Sequence, residues 1–265
     1  MIDKKLYIEI NGITQRAGRY LSELSKDPES RKPRPKADGS PVTDADIKVS
    51  ELLVEELSQL GFPVVSEECL PENPPDSDQP YFLVDPLDGT KYFSRGEDEF
   101  AVCVGLLVQG SPVYGSIFDP TRDKLFWGAK GLGAFCNEQP INHDGVDGKL
   151  VVYSSGFHKK PQRSWVVDEL NIGDIREKGS ALKFCDIASG DVDFYLRFGP
   201  TSEWDTAAAQ IILEESNCVL LDPKTCKTMV YGKKNYLNNG GLLACHKSLE
   251  GKAVKLIKEH LWKRK

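Results

Sequence analysis

The chain has 265 residues, of which 40% are hydrophobic and 28% are charged. This length and composition suffice for a sizeable buried core and exclude both a mini-protein and a disordered chain. Lys and Arg number 34 against 40 Asp and Glu, a formal net charge of -6. This balance argues against a binder of nucleic acid polymers, because such proteins present a basic surface to phosphates.

No apolar run reaches the ~20 residues that span a bilayer, and the N-terminus leads into a charged amphipathic pattern. Seven cysteines occur without a Cys-x-x-Cys pair, which favours reduced thiols, and four histidines show no zinc-type spacing. We therefore expect a cytoplasmic protein with no transmembrane segment and no soft-metal site. The sequence leaves open a peripheral position at the inner membrane and an oligomeric state.

The first half of the chain begins with two helical patterns. Apolar residues from Leu6 to Leu24 recur at steps of three and four, which predicts an amphipathic helix. The proline-rich segment 31–41 predicts a loop, and Thr43 predicts the N-cap of a second helix that stops at Gly61. Strand patterns follow at 62–65, 81–84, 100–108, 112–118 and 124–128, with hairpin composition at 109–111, and together they predict an antiparallel sheet.

Beyond about residue 145, strand and helix patterns alternate. Strands are predicted at 150–153, 193–197, 218–221 and 241–245, and helices at 180–189, at 203–216 and at the C-terminus. The two patterns predict an α/β fold of layered sheets and helices. We expect an N-terminal α+β domain that binds metal at residues 1–145 and a C-terminal α/β domain that binds substrate at residues 146–265.

The strongest local signal is the segment from Tyr81 to Thr90, in which a buried strand pattern runs into Asp85 and Asp88. Pro86 removes a backbone donor and Gly89 permits a left-handed turn, so we expect the chain to bend and direct both carboxylates to one point. A plain turn after a strand explains the same residues, because Asp-Gly is common in turns.

Three further acidic positions favour a functional site. Glu67 follows the strand pattern at 62–65, Asp205 opens a small-residue helix, and Asp46 lies three residues after Thr43. Ordinary local roles exist for two of them, since Asp205 would complement a helix dipole and Asp46 would close a capping box. Together, however, these residues place carboxylates at strand ends and helix starts, where side chains converge in α/β folds.

Clusters of Asp and Glu without His or Cys select hard cations such as Mg²⁺. Divalent ions offset the repulsion between crowded carboxylates and attract phosphate to an acidic protein. Two or more such ions can activate a water and stabilise the leaving oxygen of a displacement. The sequence thus predicts metal-dependent hydrolysis of a phosphate ester, with Thr90 as a hydroxyl that could hold the attacking water.

Three motifs, in the chain order Ser66-Glu67-Glu68, Asp85-Pro86-Leu87-Asp88-Gly89-Thr90 and Trp204-Asp205-Thr206-Ala207-Ala208, resemble the lithium-sensitive, Mg²⁺-dependent phosphatases of the inositol monophosphatase superfamily. Within that superfamily, residues 36–43, 179–185 and 197–201 are similar to the bacterial 3′(2′),5′-bisphosphate nucleotidases of sulfate assimilation. The resemblance extends from about residue 36 to about residue 245. It implies a layered αβαβα sandwich.

The resemblance also implies roles for individual residues. Two or three Mg²⁺ ions per site would be held by Glu67, Asp85, Asp88, Asp205 and the backbone carbonyl of Leu87, and Li⁺ would inhibit. The catalytic group that holds and activates the water would comprise Asp46, Thr90 and Glu67. Substrate contacts would come from Asp88, Gly89, Thr90, Ser180, Lys183, Arg197 and Asp205.

The implied reaction is release of the 3′ phosphate of adenosine 3′,5′-bisphosphate to give AMP, with a small nucleotide as the partner. An alternative is the same chemistry on inositol monophosphate or a related sugar phosphate. A phosphate-binding protein without turnover is a third hypothesis, which the presence of every implied ligand and water-activating residue disfavours. Residues 154–158 match loosely and 159–178 poorly, so base contacts, including any from His158, stay open.

Overall fold

The computed structural model describes residues 2–37, 39–73, 75–76, 78–154, 166 and 169–261. The helices with described bounds are α1 (Lys4–Leu24), α2 (Asp44–Ser58), α3 (Thr90–Arg95), α4 (Leu182–Ala188), α5 (Ala207–Glu214) and α6 (Glu250–Leu261). The strands are β1 (Arg34–Pro35), β2 (Pro41–Val42), β3 (Val64–Ser66), β4 (Tyr81–Asp88), β5 (Ala101–Val108), β6 (Ser111–Asp119), β7 (Lys124–Ala129), β8 (Gly133–Cys136), β9 (Gln139–Ile141), β10 (Leu150–Ser154), β11 (Ile172–Arg176), β12 (Phe194–Arg197), β13 (Thr201–Ser202), β14 (Cys218–Asp222), β15 (Lys227–Thr228), β16 (Leu237–Asn238) and β17 (Leu242–His246).

One sheet contains seven strands in the order β3-β4-β5-β6-β7-β8-β9. β3 and β4 are parallel, and every later neighbour is antiparallel to the strand before it. The predicted antiparallel sheet is therefore confirmed, and so is the hairpin between β5 and β6, where Gln109 and Gly110 have positive φ. β8 and β9 were not predicted, because stretches of four and three residues are too short to display a period.

The other large sheet contains six strands in the order β11-β10-β12-β17-β14-β15. β10 runs parallel to β11 and β12, whereas β17 is antiparallel to both β12 and β14. The four strands predicted in this half are β10, β12, β14 and β17. The edge strand β11 was not predicted, because four of its five residues are exposed and it lacks an apolar alternation.

The helices and the two sheets form alternating layers. α1 and α2 cover one face of the seven-stranded sheet, where Leu53 packs in one buried cluster with Phe82. α4 and α5 lie between the sheets, and Ile212 belongs to a cluster that also contains Tyr195. α6 covers the outer face of the six-stranded sheet through Ile257. This order of layers confirms the predicted αβαβα sandwich.

Capping contacts explain where the first two helices begin. The Asp3 side chain accepts a hydrogen bond from the Leu6 N–H at 3.1 Å, and Thr43 forms the predicted capping box with Asp46. α2 ends at Ser58, three residues before Gly61, which adopts a φ of 86°. The positions of α1 and α2 therefore agree with those predicted from the spacing of apolar residues.

The two central helices are shorter than predicted. α4 covers Leu182–Ala188, within the expected range 180–189, and α5 begins only at Ala207. Asp205 therefore precedes α5 instead of opening it. The reason is a turn in which the carbonyl of Glu203 accepts hydrogen bonds from the N–H groups of Thr206 and Ala207, at 3.2 and 3.0 Å.

The segment 31–41, predicted as a loop, contains a short antiparallel ladder. Arg34 pairs with Val42 in this β1–β2 ladder, and the Lys36 N–H donates to the Ser40 carbonyl at 2.8 Å. Each of the two strands has only two residues, one of them a proline, so the sequence shows no strand period here.

The predicted bend at Pro86 is a bulge inside a strand. β4 continues to Asp88, and its pairing with β5 shifts register between Asp85 and Asp88. Pro86 donates no backbone hydrogen bond and therefore suits the bulged position. The chain turns at Gly89, whose φ of 100° favours glycine.

A row of glycines crosses three strands of the seven-stranded sheet beneath α5. Gly105 of β5 pairs with Gly115 of β6, which pairs with Gly128 of β7. A Cβ atom on Gly115 would lie 2.3 Å from the carbonyl oxygen of Ala208, and one on Gly128 would lie 3.0 Å from the Cα of Ile212. This glycine row lets α5 approach the sheet closely, and α5 begins two residues after Asp205.

Two further findings concern the part of the chain that the structure describes. No helix there is both long and apolar enough to cross a bilayer. All seven cysteines are described and are free, and Cys103, Cys185 and Cys245 are buried.

Candidate active site

A cavity of about 820 Å³ lies between the two halves of the chain. One side of its wall comes from the end of β4 and the start of α3, and the other from the segments around α4, β12 and β13. Six charged residues that line it were predicted from sequence as metal ligands or substrate contacts: Glu67, Asp85, Asp88, Lys183, Arg197 and Asp205. The cavity thus joins acidic and basic groups from distant parts of the sequence.

Three carboxylates from three separate segments of the chain meet at this cavity. Glu67, Asp85 and Asp205 each offer an oxygen atom, and these atoms lie within 4.8 Å of one another. The parallel pairing of β3 with β4 explains why Glu67 and Asp85 are close together. Ser66 pairs with Val84, and the Glu67 N–H donates to the Val84 carbonyl at 3.1 Å. Such an all-oxygen donor set fits a hard divalent cation.

Asp85 lies at the bulge in β4 and is only 2% exposed. Its Oδ1 accepts a hydrogen bond from the Leu87 N–H at 3.0 Å. Burial raises its pKa well above the ordinary value, and Glu67, Asp88 and Asp205 raise it further through their charges. A bound cation would relieve this repulsion, so the electrostatics of the cluster also fit a metal ion.

Asp88 stands beside this trio. Its Oδ2 accepts a hydrogen bond from the backbone N–H of Ala181, and Asp88 is outside the group of oxygens that converge within 4.8 Å. Burial raises its pKa, while the charge of Lys183 and the Ala181 N–H oppose this shift. Asp88 therefore links the first half of the chain to the segment that begins α4.

Asp205 is oriented by its own turn. Its Oδ2 accepts a hydrogen bond from the Ser202 N–H at 2.8 Å. Burial, followed by the charge of Asp88, raises the pKa of Asp205 to about 8. A cation bound beside it would favour the charged form of this carboxyl.

Thr90 and Asp46 form a hydrogen-bonded pair next to the cluster. The Thr90 hydroxyl lies 3.0 Å from Asp46 Oδ1 and 3.2 Å from the carbonyl oxygen of Leu87. The other oxygen of Asp46 accepts hydrogen bonds from the N–H and the hydroxyl of Thr43, at 2.7 and 2.6 Å. Asp46 thus has both its local capping role and a contact with Thr90, and burial raises its pKa.

The two basic side chains that were predicted to contact the substrate, those of Lys183 and Arg197, differ in their surroundings. Lys183 lines the cavity, and its ammonium lies 5.3 Å from the centroid of the Tyr195 ring. Burial lowers its pKa to about 8, against the opposing charge of Asp88. Arg197 is exposed, and its Nη2 donates to the Pro200 carbonyl at 3.1 Å.

Gly89 and Ser180 approach each other across the cavity wall. A Cβ on Gly89 would lie 2.5 Å from the Glu99 carbonyl oxygen and 3.2 Å from the Cβ of Ser180. Ser180 is 8% exposed, has a φ of 51°, and accepts a hydrogen bond from the Leu182 N–H at 3.2 Å. The turn after β4 therefore needs a glycine for steric as well as conformational reasons.

Lys36 contacts the site without having been predicted as a site residue. Its Nζ lies 2.6 Å from an oxygen of Glu67 and 2.5 Å from an oxygen of Glu68. Burial acts to lower its pKa, but the hydrogen bonds to both glutamates outweigh it and the pKa is raised. No local pattern reveals this contact, because it joins a proline-rich segment to the end of β3. His158, whose role stays open, lies outside the described residues.

Comparison with known proteins identifies the class of protein. The model of the inositol monophosphatase family matches residues 5–262, and the chain belongs to this family. The 3′(2′),5′-bisphosphate nucleotidase CysQ of Salmonella typhimurium is 37% identical over 217 residues, which are 77% of this chain and 85% of that protein. The CysQ protein of Escherichia coli strain K12 is 34% identical over 216 residues, with the same shares of both chains.

Solved structures agree with this assignment. CysQ from Bacteroides thetaiotaomicron, described as a bacterial member of the inositol monophosphatase family, is 29% identical with a TM-score of 0.74 and covers 91% of this chain and 96% of its own. The extragenic suppressor protein suhB from Bartonella henselae is 25% identical with a TM-score of 0.80 and covers 97% and 100%. The family resemblance and the fold class are confirmed, and the chain is a phosphatase of this metal-dependent family.

Proposed function

We propose that the protein is a Mg²⁺-dependent phosphatase that removes the 3′ phosphate of adenosine 3′,5′-bisphosphate and leaves AMP. The observation that carries this proposal is the meeting of Glu67, Asp85 and Asp205 in a cavity that also contains Lys183 and Arg197. Similarity to nucleotidases at 30–37% identity supports the choice of substrate.

The metal would be held by oxygen atoms alone. Its ligands in the proposal are the carboxylates of Glu67, Asp85, Asp88 and Asp205 and the carbonyl of Leu87, with two or three Mg²⁺ per site. When bound, such ions offset the carboxylate charge, activate a water and stabilise the developing charge on the leaving oxygen.

Thr90 and Asp46 would orient the attacking water and receive its proton. The Thr90 hydroxyl donates to Asp46 Oδ1 in this arrangement and keeps lone pairs that can accept a hydrogen bond from a water. A proton passed through Thr90 would end on Asp46 Oδ1, where burial favours the neutral acid. Glu67 would share in activating the water.

The two ends of the substrate would contact different halves of the chain. The turn at Asp88, Gly89 and Thr90 would receive the phosphate that is cleaved. Lys183 and Arg197 would pair with the phosphate that is retained, since charge-assisted contacts to phosphate are strong. Ser180 and Asp205 would contact the part of the nucleotide that lies between its two phosphates. A substrate with a second phosphate uses both groups of residues.

Hydrolysis of inositol monophosphate is the second candidate. Inositol monophosphatase from Anabaena shares the fold, at 25% identity and a TM-score of 0.76 over 97% of this chain. A substrate with one phosphate would leave Lys183 and Arg197 without their proposed partner. The retained phosphate is therefore the feature that separates the two candidates.

Phosphate release from a panel of substrates tests the proposal. The panel contains adenosine 3′,5′-bisphosphate, its sulfated form, inositol monophosphate, fructose bisphosphate and AMP, each with Mg²⁺ and with excess chelator. We expect the bisphosphate nucleotide to be the best substrate and the chelator to abolish turnover. Faster turnover of inositol monophosphate would support the second candidate, and full activity in chelator would contradict the metal mechanism.

Inhibition by Li⁺ tests the metal proposal separately. Li⁺ is similar in size to Mg²⁺ but carries half the charge, so it could occupy a site without stabilising the developing negative charge. We expect LiCl to inhibit at concentrations at which NaCl and KCl have little effect. Equal inhibition by all three salts would indicate ionic-strength screening alone.

A further inference from the structure

The turn that carries Asp205 is held on its far side by residues 230–238, which we call the support segment. The cavity wall includes Thr201, Ser202, Asp205 and Thr206. All residues of the support segment are described, and none of them lines the cavity. The segment therefore contacts the Asp205 turn without contacting the space where metal and substrate would bind.

A buried carboxylate provides the first link. Glu203 has no exposed surface and lies two residues before Asp205. It accepts hydrogen bonds from the Gly232 N–H at 2.9 Å, the Lys233 N–H at 3.1 Å and the Lys233 ammonium at 2.8 Å. A buried charge with these partners is fully satisfied, and removing one partner is costly.

Asn238 provides the second link. It is 4% exposed, and its Nδ2 lies 3.3 Å from Thr201 Oγ1, 3.1 Å from the Ser202 carbonyl oxygen and 3.0 Å from Thr206 Oγ1. Its Oδ1 in turn accepts a hydrogen bond from the Lys233 ammonium at 3.1 Å. One ammonium group thus connects the residues that flank Asp205 on both sides.

Backbone contacts complete the support. β13 pairs with β16 through Ser202 and Leu237, and the Glu203 N–H donates to the Tyr236 carbonyl at 2.7 Å. Ser202 is also the residue whose N–H binds the Asp205 carboxylate. Movement of the support segment would therefore move the group that orients Asp205.

We propose that Lys233, acting through Glu203 and Asn238, is a positioning residue that keeps the Asp205 carboxylate within reach of Glu67 and Asp85. This inference rests on the metal-dependent function proposed above. Groups hydrogen-bonded directly to a metal ligand typically contribute 10–100-fold in metal affinity, and Lys233 acts one residue further away, so we expect an effect near the lower end of this range. Lys233 reaches Asp205 through Glu203, Asn238 and the backbone of Ser202, and it does not line the cavity in which the substrate would bind.

Titration calorimetry with Mg²⁺ alone tests the proposal on four proteins: wild type, Lys233→Met, Lys233→Arg and Lys234→Met. We expect Lys233→Met to bind Mg²⁺ roughly tenfold more weakly or worse. Lys233→Arg keeps a cation next to Glu203 and should retain most of the affinity. Lys234 is exposed and adjacent in the chain, so Lys234→Met is the matched control and should bind like wild type.

Melting temperatures with and without Mg²⁺ separate positioning from general stability. We expect Lys233→Met to reduce the increase in melting temperature that Mg²⁺ produces. An equal decrease with and without Mg²⁺ would overturn the proposal, because it would indicate a structural role only. Should Lys233→Met fail to fold, Asn238→Ser, which loses the amide that joins Lys233 to the turn, takes its place in both measurements.

The calorimetry also distinguishes failure of this inference from failure of the proposed function. Equal Mg²⁺ affinity in wild type and Lys233→Met overturns the positioning role and leaves the proposed function intact. Absence of Mg²⁺ binding by wild type overturns both. In phosphate release, we expect Lys233→Met to need more Mg²⁺ for half-maximal activity and to approach the wild-type rate at saturation.

Discussion

Asp46 illustrates how one residue can satisfy a local role and a role in the site at once. One carboxylate oxygen closes the capping box with Thr43, and the other accepts a hydrogen bond from Thr90. The first contact spans three residues and follows from the sequence pattern. The second contact joins the start of α2 to the start of α3, and no local sequence pattern predicts it. Only the family resemblance linked Asp46 to Thr90.

Substitution of Asp88 tests whether its charge is needed. Asp88→Asn keeps the shape and an oxygen that can accept the Ala181 N–H, but it removes one charge from a crowded acidic group. We expect turnover to be abolished and the melting temperature of the metal-free protein to be retained. Asp147→Asn, at an exposed residue that does not line the cavity, is the control. Turnover by Asp88→Asn within about tenfold of wild type would contradict a ligand role, since loss of a group that only orients a ligand already costs that much.

Substitution of Lys183 tests the contact with the retained phosphate. Loss of a charge-assisted contact costs about 1.5–3 kcal/mol, so we expect Lys183→Ala to raise KM about 10- to 100-fold for the bisphosphate nucleotide. Because burial lowers the pKa of Lys183 to about 8, the wild-type KM should also increase as the pH rises above this value and the ammonium loses its charge. Lys252→Ala on the exposed side of α6 is the control. An unchanged KM would mean that Lys183 does not contact the substrate.

Among the elements, the glycine row beneath α5 sets the distance between helix and sheet. We expect Gly115→Ala to lower the free energy of unfolding by about 1–3 kcal/mol, because the new methyl group overpacks this contact. The shift of α5 should also displace Asp205 and weaken Mg²⁺ binding. Calorimetry and denaturant unfolding measure the two effects.

Gly251→Ala is the matched control for this change. A Cβ at Gly251 in α6 meets no atom within 4 Å, so alanine should be neutral or stabilising there. If Gly115→Ala has the same free energy of unfolding and the same Mg²⁺ affinity as this control, α5 tolerates a wider separation from the sheet.

The elements differ in how well the sequence predicts them. α1, α2 and the strands of five or more residues in the seven-stranded sheet follow from apolar spacing, because each buries one or both faces against a core. β8, β9 and the β1–β2 ladder depend on pairing partners instead of on a period. The predicted end of a strand near Val84 was wrong, because a bulge accommodates Pro86 and the strand continues to Asp88.

In the whole molecule, the acidic cluster makes stability depend on pH and on metal. The pKa of Asp205 is about 8 in the folded metal-free protein, against an ordinary value of 3.8. Between these values the folded state holds a proton that the unfolded state releases, so the free energy of unfolding falls as the pH rises from about 4 to about 8. We expect this fall to be shallower in Asp205→Asn and to be offset by Mg²⁺ in wild type.

Melting temperatures of metal-free wild type and Asp205→Asn between pH 5 and pH 8 measure this dependence. If the melting temperature depends on pH equally in both proteins, the pKa of Asp205 is not raised in the folded state. The strand pattern that leads into Asp85 could be predicted from sequence, but this coupling could not, since it arises only when residues from both halves of the chain are brought together.

The position of α5 on the glycine row has a consequence for the order of events in folding. Glu67 and Asp85 lie on neighbouring strands, whereas Asp205 joins them only after a long segment of chain has closed and α5 has docked on the sheet. We therefore expect the complete cation site to form late, after the rate-limiting step. We expect Mg²⁺ to slow unfolding while leaving the refolding rate nearly unchanged, as stopped-flow measurements with Mg²⁺ and with chelator would detect. Faster refolding in Mg²⁺ would instead place the docking of α5 before the transition state.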